Sequence, residues 1–185
     1  MADSVKELVL TICGDMLEPI GYMPHGMIAG FLFLAVYLLG ILAGRAAGIP
    51  MKVQEKKSVM LLYLCVVYGT VLLETAFFSR EPGSRIGVNM ELFGTWGETA
   101  ASKGYVIENI LMFIPFGILF PACFRFLKNG FVCVAAACLT SVAIETAQYL
   151  TGRGFCQLDD VVMNVLGTTL GWLLYRIFCN SSDSP

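Results

Sequence analysis

Charge is scarce in this chain. Only 14% of its 185 residues are charged, against roughly 25% in an average soluble domain. Acidic and basic side chains nearly cancel, at a formal net charge of -2. With no basic field there is nothing to hold nucleic acid, and no block of like charge marks a solvating tail. Histidine is rarer still: His25 stands alone, so no second imidazole completes a histidine-based metal centre. The seven cysteines are scattered and never take the C-x-x-C spacing of a zinc or redox site; they read as small apolar side chains. Missing as well are G-x-S-x-G, H-E-x-x-H, a phosphate-binding glycine loop and a Ser/His/Asp set. No metal and no cofactor are expected. Asp3 and Glu7 replace the basic start of an export signal, so the first true span is expected to anchor the chain itself.

Apolar residues are abundant instead, at 57%, and they come in runs too long for a soluble core of this size to hide. Crossing about 30 Å of hydrocarbon takes roughly 20 mainly apolar residues in helix. Segments near 26–48, 58–79, 105–123, 130–150 and 160–179 approach that standard. In lipid every backbone polar group must be paired within the segment or in a closed barrel, and the alternation of a barrel is absent. The expected fold is therefore an all-α integral membrane protein, a bundle of about five transmembrane helices. Pro115 and Pro121 are expected to bend the third helix or end it early.

Before the first span, Val5, Leu8, Val9 and Ile12 recur at i, i+3, i+4 and i+7, which fits an N-terminal amphipathic helix at the interface or an ordinary surface helix. The chain thus divides into an N-terminal segment 1–25, a transmembrane domain 26–179 and a C-terminal tail 180–185. Arg45, Lys52, Lys56 and Lys57 crowd the first connection, Arg125 and Lys128 the third, and Arg176 closes the last helix. By the excess of basic residues on cytoplasmic sides, the N-terminus is expected outside and the C-terminus in the cytoplasm. Gly26 and Gly30, then Gly40, Gly44 and Gly48, then Gly167 and Gly171 recur four apart. Such small faces let helices approach closely and also permit a homo-oligomer.

Against this apolar background the polar residues follow a pattern. Glu74, Glu108, Asn109, Glu145, Gln148, Asp160 and Asn164 all fall in the expected outer half of their helices. Each ionisable group in a span costs a few kcal/mol on insertion scales, so each raises the question of its partner. Glu145 and Gln148 are i, i+3, and Asp160 and Asn164 are i, i+4, so each pair shares a helix face. The short loop 151–159 makes those helices antiparallel neighbours and places Arg153 over the cluster, while Gly152 and Gly154 leave its backbone free to approach a ligand. Two readings stand. In one, Asn109, Glu145, Gln148 and Asn164 clamp the helices, Arg153 neutralises a carboxylate and Asp159 caps the fifth helix. In the other, the cluster is a cleft open to the outer leaflet, where Arg153 grips an anionic head group and Glu145 and Asp160 bind its polar parts or move protons. Glu108 is expected at the rim, reaching water, about 100° around the helix from Asn109. Arg80, Arg85, Trp96 and Tyr105 stand at the cleft mouth, the two aromatics as interface anchors.

Three stretches carry a likeness to a known family. They are Arg80 with Val88-Asn89-Met90-Glu91-Leu92-Phe93; Asn109-Ile110-Leu111-Met112-Phe113-Ile114-Pro115-Phe116-Gly117; and Glu145, Gln148, Arg153, Asp159, Asp160, Asn164, Gly167 and Gly171, an E-x-x-Q, an arginine loop and D-D-x-x-x-N-x-x-G. Over roughly residues 75–175 the chain resembles the VanZ-like family, bacterial membrane proteins named after an accessory factor in glycopeptide resistance. The resemblance implies a bacterial cytoplasmic membrane and a part in resistance to teicoplanin-like lipoglycopeptides or a related envelope function. The ligand-binding set is then Arg80, Asn109, Glu145, Gln148, Arg153, Asp159, Asp160 and Asn164. Expected partners are membrane lipids, with a lipoglycopeptide or lipid-linked envelope precursor. One reading is a non-catalytic binder of a lipid or lipidated head group; the other is an enzyme modifying a lipid or cell-wall precursor, with Glu145 or Asp160 as base. Transport is a third, which five spans without a visible inverted repeat support weakly.

Overall fold

The computed structural model describes residues 2–15, 17–51, 53–83, 85–94 and 99–178. Trp96, Lys52, Cys179 and the tail 180–185 lie outside them. Apolar runs in lipid must pair their own backbone, and the chain is accordingly almost all helix. In order come α1 (Ala2–Asp15), α2 (Glu18–Gly21), α3 (Met23–Ala46), α4 (Lys56–Leu73) continued by a π-helical turn (Glu74–Phe78), β1 (Arg85–Asn89), α5 (Ala100–Cys123), a 3-10 turn (Arg125–Lys128), α6 (Gly130–Thr151), β2 (Arg153–Gln157) and α7 (Leu158–Phe178). Five stretches of the described residues are long and apolar enough to cross a membrane: Val9–Ala46, Lys56–Phe78, Ser102–Cys123, Gly130–Thr151 and Leu158–Phe178. The protein is a multi-pass membrane protein.

Local sequence explains where these helices start and stop. Asn129 caps α6, its Oδ1 accepting the amides of Phe131 and Val132 at 3.0 and 3.3 Å. Gly152, at φ 65°, turns the chain out of α6 in the left-handed conformation that favours glycine. Thr99 caps α5 by accepting the Ser102 amide at 3.2 Å. Pro115 and Pro121 do not end α5 early: the helix runs through both to Cys123. The carbonyls that the two prolines leave without a helical amide are those of Leu111 and Gly117; one residue beyond the first, Tyr68 donates to the Met112 carbonyl at 2.9 Å.

Between helices in lipid there is little hydrophobic drive, so close packing and hydrogen bonds hold the bundle. The tightest pair is α5 with α7. A Cβ at Gly167 or Gly171 would run into the carbonyl oxygens of Ile110 and Ile114, and one at Gly117 into that of Thr168, so these helices meet backbone to backbone. Gly26 and Gly30 likewise face Val67 and Tyr63 of α4, whereas Gly40 and Gly48 face open space. Leu72, Ala76, Phe113, Phe116, Ala137 and Ile144 form the apolar core, with Phe116 and Phe120 stacked at 4.2 Å. The outermost helix, α3, packs chiefly on α4.

One element was not expected. Residues 85–89 and 153–157, read from sequence as loop, form a two-stranded parallel sheet with Arg85 opposite Arg153 and Asn89 opposite Gln157. Neither segment alternates in polarity, and Phe155 packs its ring on Gly87, where a Cβ would not fit. The sheet lies at the bundle end where α4 and α6 finish and α5 and α7 begin, called here the loop end.

Candidate functional site

At the loop end each polar side chain of the expected cluster is held by a backbone feature. Glu145, 4% exposed, accepts the Gln157 amide of β2 at 2.9 Å. Gln148, 2% exposed, donates to the Ala76 carbonyl at 2.6 Å. That carbonyl lies in the π turn, where Ser79 reaches back five residues to Glu74 at 2.9 Å. A single π turn of this kind widens a helix and re-aims the residues after it. Here it is followed by Arg80.

Arg153 does not take the position the sequence pointed to. Its Nη1 donates to the carbonyls of Phe77, Phe78 and Arg80 at 3.2, 3.4 and 2.7 Å, and its guanidinium lies 4.8 Å over the Phe77 ring. It closes the open carbonyl end of the π turn, because a helix C-terminus exposes acceptors that a five-donor fork can satisfy. The cation that acts on both Glu145 and Asp160 is Arg80. Gly154 is not left free for a ligand either: a Cβ there would sit 2.8 Å from Arg80 Nη1 and 3.2 Å from Gln148 Oε1.

Glu145 and Asp160 share one neighbourhood. Asp160 acts electrostatically on Glu145, and Cys156 of β2 feels both. Burial first, then the charges of Glu145 and Asp160, push the Cys156 thiol up, so it stays protonated and is no thiolate nucleophile at neutral pH. Asp160 Oδ1 accepts from Asn109 Nδ2 at 2.8 Å, tying α7 to α5. Asp159, buried at 3% exposure, accepts the Phe93 amide at 2.6 Å. It sits in the first turn of α7, which begins at Leu158, and holds the Phe93 loop. Asn164 donates to Ser141 Oγ at 2.8 Å in the seam between α6 and α7.

These residues separate into a wall and a lining. A cavity of ≈ 690 Å³ opens at the loop end between α2, the end of α4 and α5, and Arg80, Asn109, Arg153 and Asp160 line it. Glu145, Gln148, Asp159 and Asn164 stand behind it, bracing β2, the π turn, the Phe93 loop and α6. Tyr105 and Glu108 also line the cavity. Glu108, expected at the rim, lines the cavity with its Oε1 buried, and its neighbours are Asp15 and Glu18. Those two acids were not singled out as site residues in the sequence, since they lie in the N-terminal segment. Glu74 meets His25, whose Nδ1 is 3.3 Å from its Oε1. Among the described residues no group of side chains could hold a metal ion.

Comparison with known proteins covers most of this architecture. The family model described as VanZ/LLP1 matches residues 60–179, from α4 to the end of α7. The chain is 35% identical over 73 residues to Protein VanZ of Enterococcus faecium, a stretch covering 39% of this chain and 44% of the length of that protein. No solved structure matches the chain.

Proposed function

The chain belongs to the VanZ/LLP1 family, and on that footing we propose that it is a non-catalytic membrane receptor whose loop-end cavity takes up the head group of a lipid or lipidated molecule. The observation that carries this reading is the cavity itself. It is polar where Arg80, Asn109 and Asp160 converge and apolar where Leu72, Leu111 and Met112 descend between α4 and α5. Ligand pockets of roughly 300–1,000 Å³ combine an apolar wall with a few fixed polar groups in this way. The resemblance to VanZ-like proteins directs the outcome toward tolerance of teicoplanin-like lipoglycopeptides or envelope homeostasis.

The loop end then faces outward, because Arg45, Lys56 and Lys57 lie at the opposite end of the bundle with Arg125 and Lys128. An impermeant thiol reagent added to intact cells should label Glu81→Cys and spare Phe126→Cys; the reverse pattern would invert the proposed orientation. The functional test removes the charge of groups that shape the lining. Arg80→Gln and Asp160→Asn should each abolish teicoplanin tolerance while the protein stays at wild-type abundance in the membrane. Normal tolerance in both, at normal abundance, would remove the cavity from the function.

A further inference from the structure

The lining of the cavity is unbalanced in charge. Among the described residues, five carboxylates (Asp15, Glu18, Glu81, Glu108 and Asp160) face it against two guanidiniums, with no lysine or histidine. No guanidinium is among the charges that act on Glu108. Arg153 is engaged with the carbonyls of the π turn, and Arg80 acts on Glu145 and Asp160. On the α1–α2 side, Asp15 and Glu18 gather about Glu108, whose carboxyl shares a hydrogen bond with Asp15 and keeps its buried Oε1 without a partner of its own. Glu18 accepts from Tyr22 at 3.2 Å. Carboxylates brought together at a bilayer boundary repel one another unless a cation or a proton stands between them. Below them, Val71, Leu111, Met112 and Pro115 form an apolar slot between α4 and α5. From Glu108 to Pro115 this slot runs two helical turns, about 10 Å along the axis.

We propose that the occupant is an amphiphile whose head group carries a protonated amine, seated among Asp15, Glu18 and Glu108, with its chain lying in the slot between α4 and α5. The proposal rests on the head-group reading of the same cavity and narrows it. The amine supplies the positive charge that this side of the lining lacks and donates to the Asp15 and Glu108 carboxyls in place of the proton between them. An anionic group on the same molecule reaches Arg80. A purely anionic head group would add like charge to the acid cluster. A membrane aminophospholipid and a lipidated peptide with a free amine both present this chemistry.

The test uses the full chain in detergent, incubated with phosphatidylethanolamine, with its N-acetylated derivative, or with phosphatidylglycerol, and counts retained lipid by native mass spectrometry. The N-acetylated lipid keeps the phosphate and the chains and loses only the cation. Because hydrogen bonds to charged groups are the strong ones, phosphatidylethanolamine should be retained at least about tenfold better than either other lipid. Asp15→Asn combined with Glu108→Gln should erase that preference, and Leu139→Ala, on the lipid-facing side of α6, should keep it. If the double variant fails to fold, the comparison among lipids on the wild-type chain decides alone. Teicoplanin as competitor separates the two sources: displacement of the phospholipid assigns the site to the lipidated peptide, and persistence assigns it to the phospholipid. Equal retention of the three lipids, or preference for phosphatidylglycerol, overturns the amine while leaving the head-group reading standing. Retention of none of them overturns both.

Discussion

Gly154 and Arg80 occupy adjoining space, and that adjacency tests the place of Arg80 without altering its charge. A methyl group at Gly154 would meet Arg80 Nη1 at 2.8 Å and the buried Gln148 Oε1 at 3.2 Å. Gly154→Ala should therefore displace Arg80 from Glu145 and Asp160, destabilise the fold by about 1–3 kcal/mol, and lower tolerance as Arg80→Gln is expected to. A melting profile in detergent beside the tolerance assay checks both halves, and full tolerance in Gly154→Ala would show that the place of Arg80 is immaterial. At this scale the sequence was informative about which polar side chains gather at the loop end and silent about their partners. Charged and amide groups in apolar helices stand out by cost alone, so Glu145, Gln148, Asp160 and Asn164 were legible. That Arg80 and not Arg153 serves the carboxylates was not, because it depends on the π turn, which no residue pattern in Glu74–Phe78 announces. Asp15 and Glu18 were overlooked for a similar reason: their relation to Glu108 exists only once α1 and α2 dock against α5.

At the scale of elements the glycine seam between α5 and α7 governs assembly. Gly167 and Gly171 abut carbonyl oxygens of Ile110 and Ile114, and backbone cannot step aside as a side chain can. Gly167→Ala and Gly171→Ala should each destabilise the bundle by about 2 kcal/mol or more, since overpacking a tight contact costs typically 1–3 kcal/mol. Gly40→Ala, with nothing within 4 Å, should be neutral. Unfolding by titrated denaturing detergent measures the contrast, and equal stability of all three variants would mean that the seam is not a close contact. The spacing of four made this face readable in the sequence, as hydropathy made the spans readable. The parallel pair β1–β2 was not readable, because its strands are short, interrupted by Gly87 and Gly154, and far apart in the chain. Their pairing is nevertheless what delivers the Gln157 amide to Glu145 and Arg153 to the π turn.

For the whole molecule, the bundle sorts its surface by task. Leu32, Val36 and Leu139 remain exposed on the flanks at 62%, 69% and 71%, as lipid-facing side chains should, while the polar residues gather at the loop end around one cavity. Five long apolar helices were evident from composition; the cavity was not, because it is bounded by α2, α4 and α5 and depends on how they splay. The most direct test is photo-crosslinking in native membranes from a benzophenone side chain replacing Tyr105 at the cavity mouth, with one replacing Leu139 as the lipid-facing reference. A discrete amphiphile should be captured at position 105, distinct from the mixture captured at 139, and Arg80→Gln should abolish its capture. The same lipid mixture at both positions, indifferent to Arg80, would contradict a head-group site at the loop end.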